Sequence, residues 1–120
     1  MAQRADDDRV YADKQLVIRR TSAPEGLTVS GAIDAYNVDA FARTLDLSLE
    51  GKGDLTIDLQ DLEFCDVSAI RALVAAAKNV DDGRRLVLSG LPEPLRNVMT
   101  IVGWNDIPGL VISDADPTDQ

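Results

Sequence analysis

The hydrophobic period of this chain changes repeatedly along its length, and that alternation limits the folds open to it more than any other feature. Leu16-Val17-Ile18 is a short strand candidate, followed by turn residues over Thr21-Ser22-Ala23-Pro24-Glu25-Gly26. Leu27, Val29, Gly31 and Ile33 then alternate with Thr28, Ser30 and Ala32, the period of a strand with one covered face. These two strands read as an antiparallel pair. Asn37 is placed to cap a helix in which Val38, Phe41, Ala42, Leu45 and Leu49 recur at helical spacing, ended by Gly51-Lys52-Gly53. Leu55, Ile57 and Leu59 alternate again as a strand. Ile70, Leu73, Val74 and Ala77 follow at i, i+3, i+4 and i+7 of a second helix that stops near Asp81-Asp82-Gly83. Leu86-Val87-Leu88 is a continuous apolar run, the pattern of a strand covered on both faces. Pro92 and Pro94 open a third helix with Leu95, Val98, Met99 and Val102 on one stripe and Gly103 at its end. A last short strand is expected within Ile107 to Ile112.

Strands alternating with helices imply right-handed crossovers, so the expected fold is a single α/β domain. Its sheet is mixed and mostly parallel, opens with a hairpin, and packs amphipathic helices through the stripes above. Val74 and Val98 are expected to be buried. A length of 120 residues fits one domain with one core. Residues 1–14 are expected to form a mobile N-terminal tail, residues 15–113 the domain, and residues 114–120 an acidic C-terminal tail, because neither end carries the apolar anchors that offset ordering entropy.

Composition removes several functions. The formal net charge is −9, which repels phosphate backbones and argues against nucleic-acid binding. There is no histidine, so the commonest general base and metal ligand are missing, and no phosphate-binding glycine loop occurs. No catalytic residue, cofactor or metal is expected, and the chain reads as a binding protein rather than an enzyme. Asp58, Asp61 and Asp66 are weighed as a carboxylate group for acid–base or cation chemistry, but solvated loop acids are the favoured reading. The lone Cys65 cannot form an intramolecular disulfide; it is read as structural rather than as a redox switch. No apolar run approaches the ~20 residues of a membrane span, and no secretory leader is recognisable, so a cytoplasmic location is expected.

The segment that carries functional information runs from Leu59 to Leu73. A strand ends, a loop follows, and a helix begins near Asp66 to Ser68, either of which can cap it. The outward face of that helix carries Arg71, Ala72, Ala75 and Lys78, a partly smooth surface that a partner can approach closely. Gly31-Ala32-Ile33-Asp34, Ile57-Asp58-Leu59 and Phe64-Cys65-Asp66-Val67-Ser68-Ala69-Ile70-Arg71-Ala72-Leu73 together resemble the STAS domain of bacterial anti-sigma factor antagonists, over roughly residues 16–112. Members of that family typically read Gly-x-Ile/Leu-Asp and Phe-x-Asp-Ser-Ser-Gly-Leu at these places. The phosphorylated serine of the family falls on Ser68, while Val67 stands in place of the first serine and Ala69 in place of the glycine.

The resemblance implies a partner switch. An unmodified domain binds an anti-sigma factor that is also a serine kinase, the sigma factor is released, and phosphorylation of Ser68 reverses the grip until a serine phosphatase resets it. It implies a partner surface at Asp34, Asp66, Val67, Ser68, Arg71, Ala72 and Ala75, with turn formation as the alternative role of Asp34. Two other functions stay open: a STAS scaffold or transporter-associated subunit that is not phosphorylated, and a small-ligand-binding module.

Overall fold

The computed structural model of the protein describes residues 9–22, 25–50, 53–80 and 84–113. Seven strands form one sheet and three α-helices flank it among these residues. The elements are β1 (Arg9–Ala12), β2 (Leu16–Ser22), β3 (Glu25–Ile33), α1 (Val38–Ser48), β4 (Leu55–Asp58), β5 (Leu62–Cys65), α2 (Val67–Lys78), β6 (Leu86–Ser89), α3 (Glu93–Val102), a 3-10 turn (Trp104–Asp106) and β7 (Leu110–Ser113). The order across the sheet is β1-β2-β3-β4-β6-β7, with β5 pairing β3 off that path. β2 runs antiparallel to both of its neighbours, β1 and β3, and every pairing beyond β3 is parallel.

The mixed sheet and its hairpin agree with the sequence reading, and two strands were not anticipated. Residues 9–12, assigned by sequence to a tail, form an edge strand against β2, with Tyr11 opposite Ile18. Residues 62–65, read as a loop, form β5. The turn over 21–26 is tighter than expected, because β2 runs to Ser22 and β3 starts at Glu25 with these two paired. Residues 1–8 and 114–120, and the turn residues at 23–24, 51–52 and 81–83, lie outside the described residues.

The helical stripes set the core. Phe41 and Leu45 of α1 are fully buried, as are Ile70, Leu73, Val74, Ala76 and Ala77 of α2 apart from a few per cent of their surface. They cover Leu16, Ile18, Leu27, Val29, Ile33, Leu55, Ile57, Leu86 and Leu88 of the sheet in one continuous cluster. α3 contributes less than its pattern promised: Met99 is buried, Leu95 and Val98 are half-buried, and Val102 is half-exposed. Pro92 accepts the N–H groups of Leu95 and Arg96 at 3.0 Å, and Gly103 ends the helix at φ 80°. That left-handed turn closes the helix directly after Val102, which stays half-exposed in the last turn.

Val98, expected to be buried, is thus only half-buried, and a second expectation is overturned in the sheet. Val87 is only half-buried between the fully buried Leu86 and Leu88, and Thr56, Asp58, Ser89 and Val111 share its intermediate exposure. Each parallel step from β3 through β4 and β6 to β7 moves the same way across the sheet. Right-handed crossovers therefore carry all three helices to one face and leave the other uncovered by any described helix. The register aligns Thr56, Val87 and Val111 across that open face. Leu88→Ala is accordingly expected to cost about 2–5 kcal/mol, and Val87→Thr no more than about 1 kcal/mol, in urea unfolding. Equal losses would mean that both faces are packed.

Candidate functional site

β3 has different neighbours along its two halves. Gly26, Leu27 and Thr28 pair with β4, whereas Gly31, Ala32 and Ile33 pair with β5, with an irregularity between Gly31 and Ala32. Gly31 makes the crowding possible. Its φ is 103°, and a Cβ built there would lie 1.9 Å from the carbonyl oxygen of Gln15. Only glycine accepts both the backbone angle and that approach. The N–H of Gly31 donates to Asp61 O at 3.2 Å, and that of Ala32 to Gln15 O at 2.8 Å.

Past β5 the chain stays attached to the end of β3, since Asp66 N–H donates to Ile33 O at 3.2 Å. Asp34 and the start of α2 are thereby brought to the same end of the sheet. Asp66 is the N-cap of α2, at φ −90° and ψ 178°, and its Oδ1 accepts the Ser68 N–H at 2.9 Å. The Ser68 hydroxyl donates to the same Oδ1 in a short contact. Of the two residues able to cap, Asp66 does so, and Ser68 is the second residue of the helix, half-buried with its hydroxyl oriented by the cap.

The remaining sequence-predicted residues divide cleanly. Val67 is 47% exposed, Arg71 and Ala75 are exposed, and Ala72 is half-buried against the core. Ala69, one of the two departures from the family pattern, is 1% exposed, so its methyl faces the core and not the surface beside Ser68. Asp34 makes a turn: its Oδ1 accepts Tyr36 N–H at 2.9 Å, and its carbonyl accepts Val38 N–H at 2.9 Å. Its Oδ2 accepts the amide of Gln15 at 2.5 Å. Asn37 stands at the cap position of α1 but makes no cap bond with its side chain. It is 2% exposed and turns back, accepting Asp34 N–H at 2.9 Å and donating to Ala32 O at 3.1 Å.

The β1–β2 turn closes the same end. Asp13 accepts the N–H groups of Gln15 and Leu16 at 2.8 and 2.9 Å and the Tyr11 hydroxyl at 2.7 Å. The Tyr11 hydrogen bond, then the backbone donors, hold the Asp13 carboxyl below its ordinary range, and the same bond raises the Tyr11 phenol. Asp58, Asp61 and Asp66 are not assembled into a cation site; Asp58 accepts Gln60 N–H at 3.0 Å, and no group of His, Cys, Asp and Glu suited to a metal occurs among the described residues. Exposed aromatic groups escaped the sequence reading: Tyr36 is 96% and Phe64 56% exposed at this end. Period alone could not reveal them, because an isolated large apolar residue reads as core.

A family model described as "Mlab, STAS domain" matches residues 16–112, and the chain belongs to this family of STAS domains. Solved structures agree in fold. An anti-sigma factor antagonist from Mycobacterium paratuberculosis matches with a TM-score of 0.63 and 19% identity, over 80% of this chain and 83% of that one. A STAS domain protein from Planctomyces limnophilus matches at 0.63 and 16%, over 86% and 93%. The phosphorylated form of SpoIIAA, a Bacillus cell fate determinant, matches at 0.60 and 14%, over 86% and 95%. No curated protein matches. Among the described residues, no helix is long and apolar enough to cross a membrane.

Cys65 lies immediately before the cap and pairs with Ile33. Burial, with a smaller contribution from the Asp66 charge, pushes its thiol up to about 11. Since the thiolate is the nucleophile, alkylation of the folded protein at pH 7 is expected to run roughly 100-fold slower than that of an unperturbed thiol, and to accelerate as pH rises toward 11. Alkylation at the rate of the urea-unfolded chain would contradict this environment.

Proposed function

We propose that the chain is an anti-sigma factor antagonist. It binds an anti-sigma factor that is also a serine kinase, frees the sigma factor, and lets go when Ser68 is phosphorylated; a serine phosphatase restores binding. The observation that carries the reading is the Ser68 hydroxyl, held by the capping carboxylate at the second position of α2 within the family's motif. Asp34, Asp66, Val67, Ser68, Arg71, Ala72 and Ala75 form the contact surface in this reading. The protein acts in the cytoplasm and by binding, with no reaction of its own.

The chemistry of the cap explains how such a switch operates. Unmodified, Ser68 gives both its N–H and its O–H to Asp66. Phosphorylation removes the hydroxyl donor and adds about −1.5 to −2 charges beside that carboxylate. The helix N-terminus offsets part of the repulsion, by about 0.3–1 kcal/mol. The domain keeps its fold, and the penalty falls on the complex, where a dianion must be desolvated against a closely packed partner. Val67 supports tight packing there, since it offers an exposed isopropyl group where the family pattern has a hydroxyl.

A second reading has one observation in its favour. Ser68 is half-buried and its hydroxyl is already engaged, which suits a STAS module that holds its partner without modification, as a scaffold or transporter-associated subunit. Incubation with a candidate anti-sigma kinase and ATP, followed by intact-mass and peptide analysis, separates the two. One phosphate is expected, on Ser68, and Ser68→Ala should remain unmodified, fold with a stability loss below about 1 kcal/mol, and still bind. Phosphate on Thr56 or Ser89 with Ser68 untouched would overturn the switch.

A further inference from the structure

Large apolar groups are exposed where β3, β5 and α2 meet. Phe64 is opposite Ala32, the next rung joins Ile33 to Cys65, Val67 starts the helix just beyond, and Tyr36 sits in the turn after Asp34. All three are large side chains left in water at one end of the sheet, at 56%, 47% and 96% exposure for Phe64, Val67 and Tyr36. A concentration of this kind marks a contact surface rather than scattered surface residues.

The charge around them is one-sided. Asp61 and Glu63 are exposed, and their carboxylates make no hydrogen bond or ion pair among the described residues. Both line an open depression shared with Asp13, Lys14 and Gln15, and the same turn borders a second depression lined by Asp34 and Tyr36. Among the described residues, Lys14 in this turn and Arg71 in the first turns of α2 stand against carboxylates at 13, 34, 61, 63 and 66. Asp13, Asp34 and Asp66 already accept donors, which leaves Asp61 and Glu63 as the groups open to an incoming cation.

We propose that this end of the domain docks a basic amphipathic segment of its protein partner, with an apolar side chain seated against Phe64 and Val67 and lysine or arginine groups falling on Asp61 and Glu63. Desolvated aromatic and aliphatic anchors supply the affinity, and the carboxylate rim supplies orientation and encounter rate. The proposal rests on the reading of this end as partner-binding and adds the partner's chemistry, but it does not require Ser68 to be phosphorylated.

The test uses the isotopically labelled full chain and two synthetic helical peptides, one with leucine on one face and lysine on the other, the second with glutamate for lysine. The lysine peptide should shift amide resonances at 31–36 and 61–68, and its binding should weaken when salt is raised from about 50 to about 300 mM. Phe64→Ser and the double variant Asp61→Lys/Glu63→Lys should each lose at least about tenfold in affinity, equivalent to about 1.4 kcal/mol. Both alter exposed side chains, and matching thermal unfolding curves verify their folding. The glutamate peptide should leave the spectrum unchanged. Shifts centred on the exposed apolar groups Leu47 or Ile101 and Val102, or unaltered affinity in the variants, would overturn the proposal. Phosphate incorporation is read independently: docking without phosphate at Ser68 removes the switch and keeps this surface, and phosphate without docking does the reverse.

Discussion

The divided edge of β3 is the constraint on which the rest of this domain depends. One nine-residue strand pairs along its length with β2, while its other edge is given first to β4 and then to β5. The change of neighbour happens around Gly31, where Gln15 presses in from one side and Asp61 hydrogen-bonds from the other. A side chain at that position would push β2 away and undo the register that presents Asp34. Because β5 then leads directly into α2, the same rungs fix where Asp66 caps and where Ser68 is held. A backbone requirement at one glycine therefore governs the placement of side chains more than thirty residues away.

Much of this architecture was legible in the sequence, and what was missed was missed for physical reasons. Long elements with clear periods declared themselves: the alternation in Leu27 to Ile33, and the i, i+3, i+4 repeat from Ile70 to Ala77. β1 and β5 have four residues each and turn only Tyr11, and Leu62 with Cys65, toward the core, too few positions to declare a period. They exist because neighbours offer unpaired edges, which is tertiary information. Leu86-Val87-Leu88 was misleading in the opposite sense. A run of three apolar residues does not distinguish a strand covered on both faces from one whose outer residue is a valine on an open face, and the monotonic strand order decides it.

The site shows the same division. The motif located Ser68 and Asp66, but which of them caps depended on geometry, and Asp66 takes that role. Asn37 was assigned to capping by residue type, yet its burial turns the amide toward Ala32 and Asp34, where it joins the end of β3 to the start of α1. The Ala69 departure lost its functional weight once its methyl was found in the core, whereas Val67 gained weight by standing in solvent. The Asp66 carboxylate emerges as the pivot of this end: one oxygen orients both the first turn of α2 and the hydroxyl of Ser68.

In the proposed switch, modification of that hydroxyl governs partner affinity, and calorimetry on two homogeneous forms tests it most directly. The chain carrying phosphoserine at position 68 and the unmodified chain would each be titrated into the proposed anti-sigma partner. A dissociation constant more than about a hundredfold weaker is expected for the phosphorylated form, equivalent to a few kcal/mol. Equal affinities would contradict it and leave Ser68 as a helix-start residue alone.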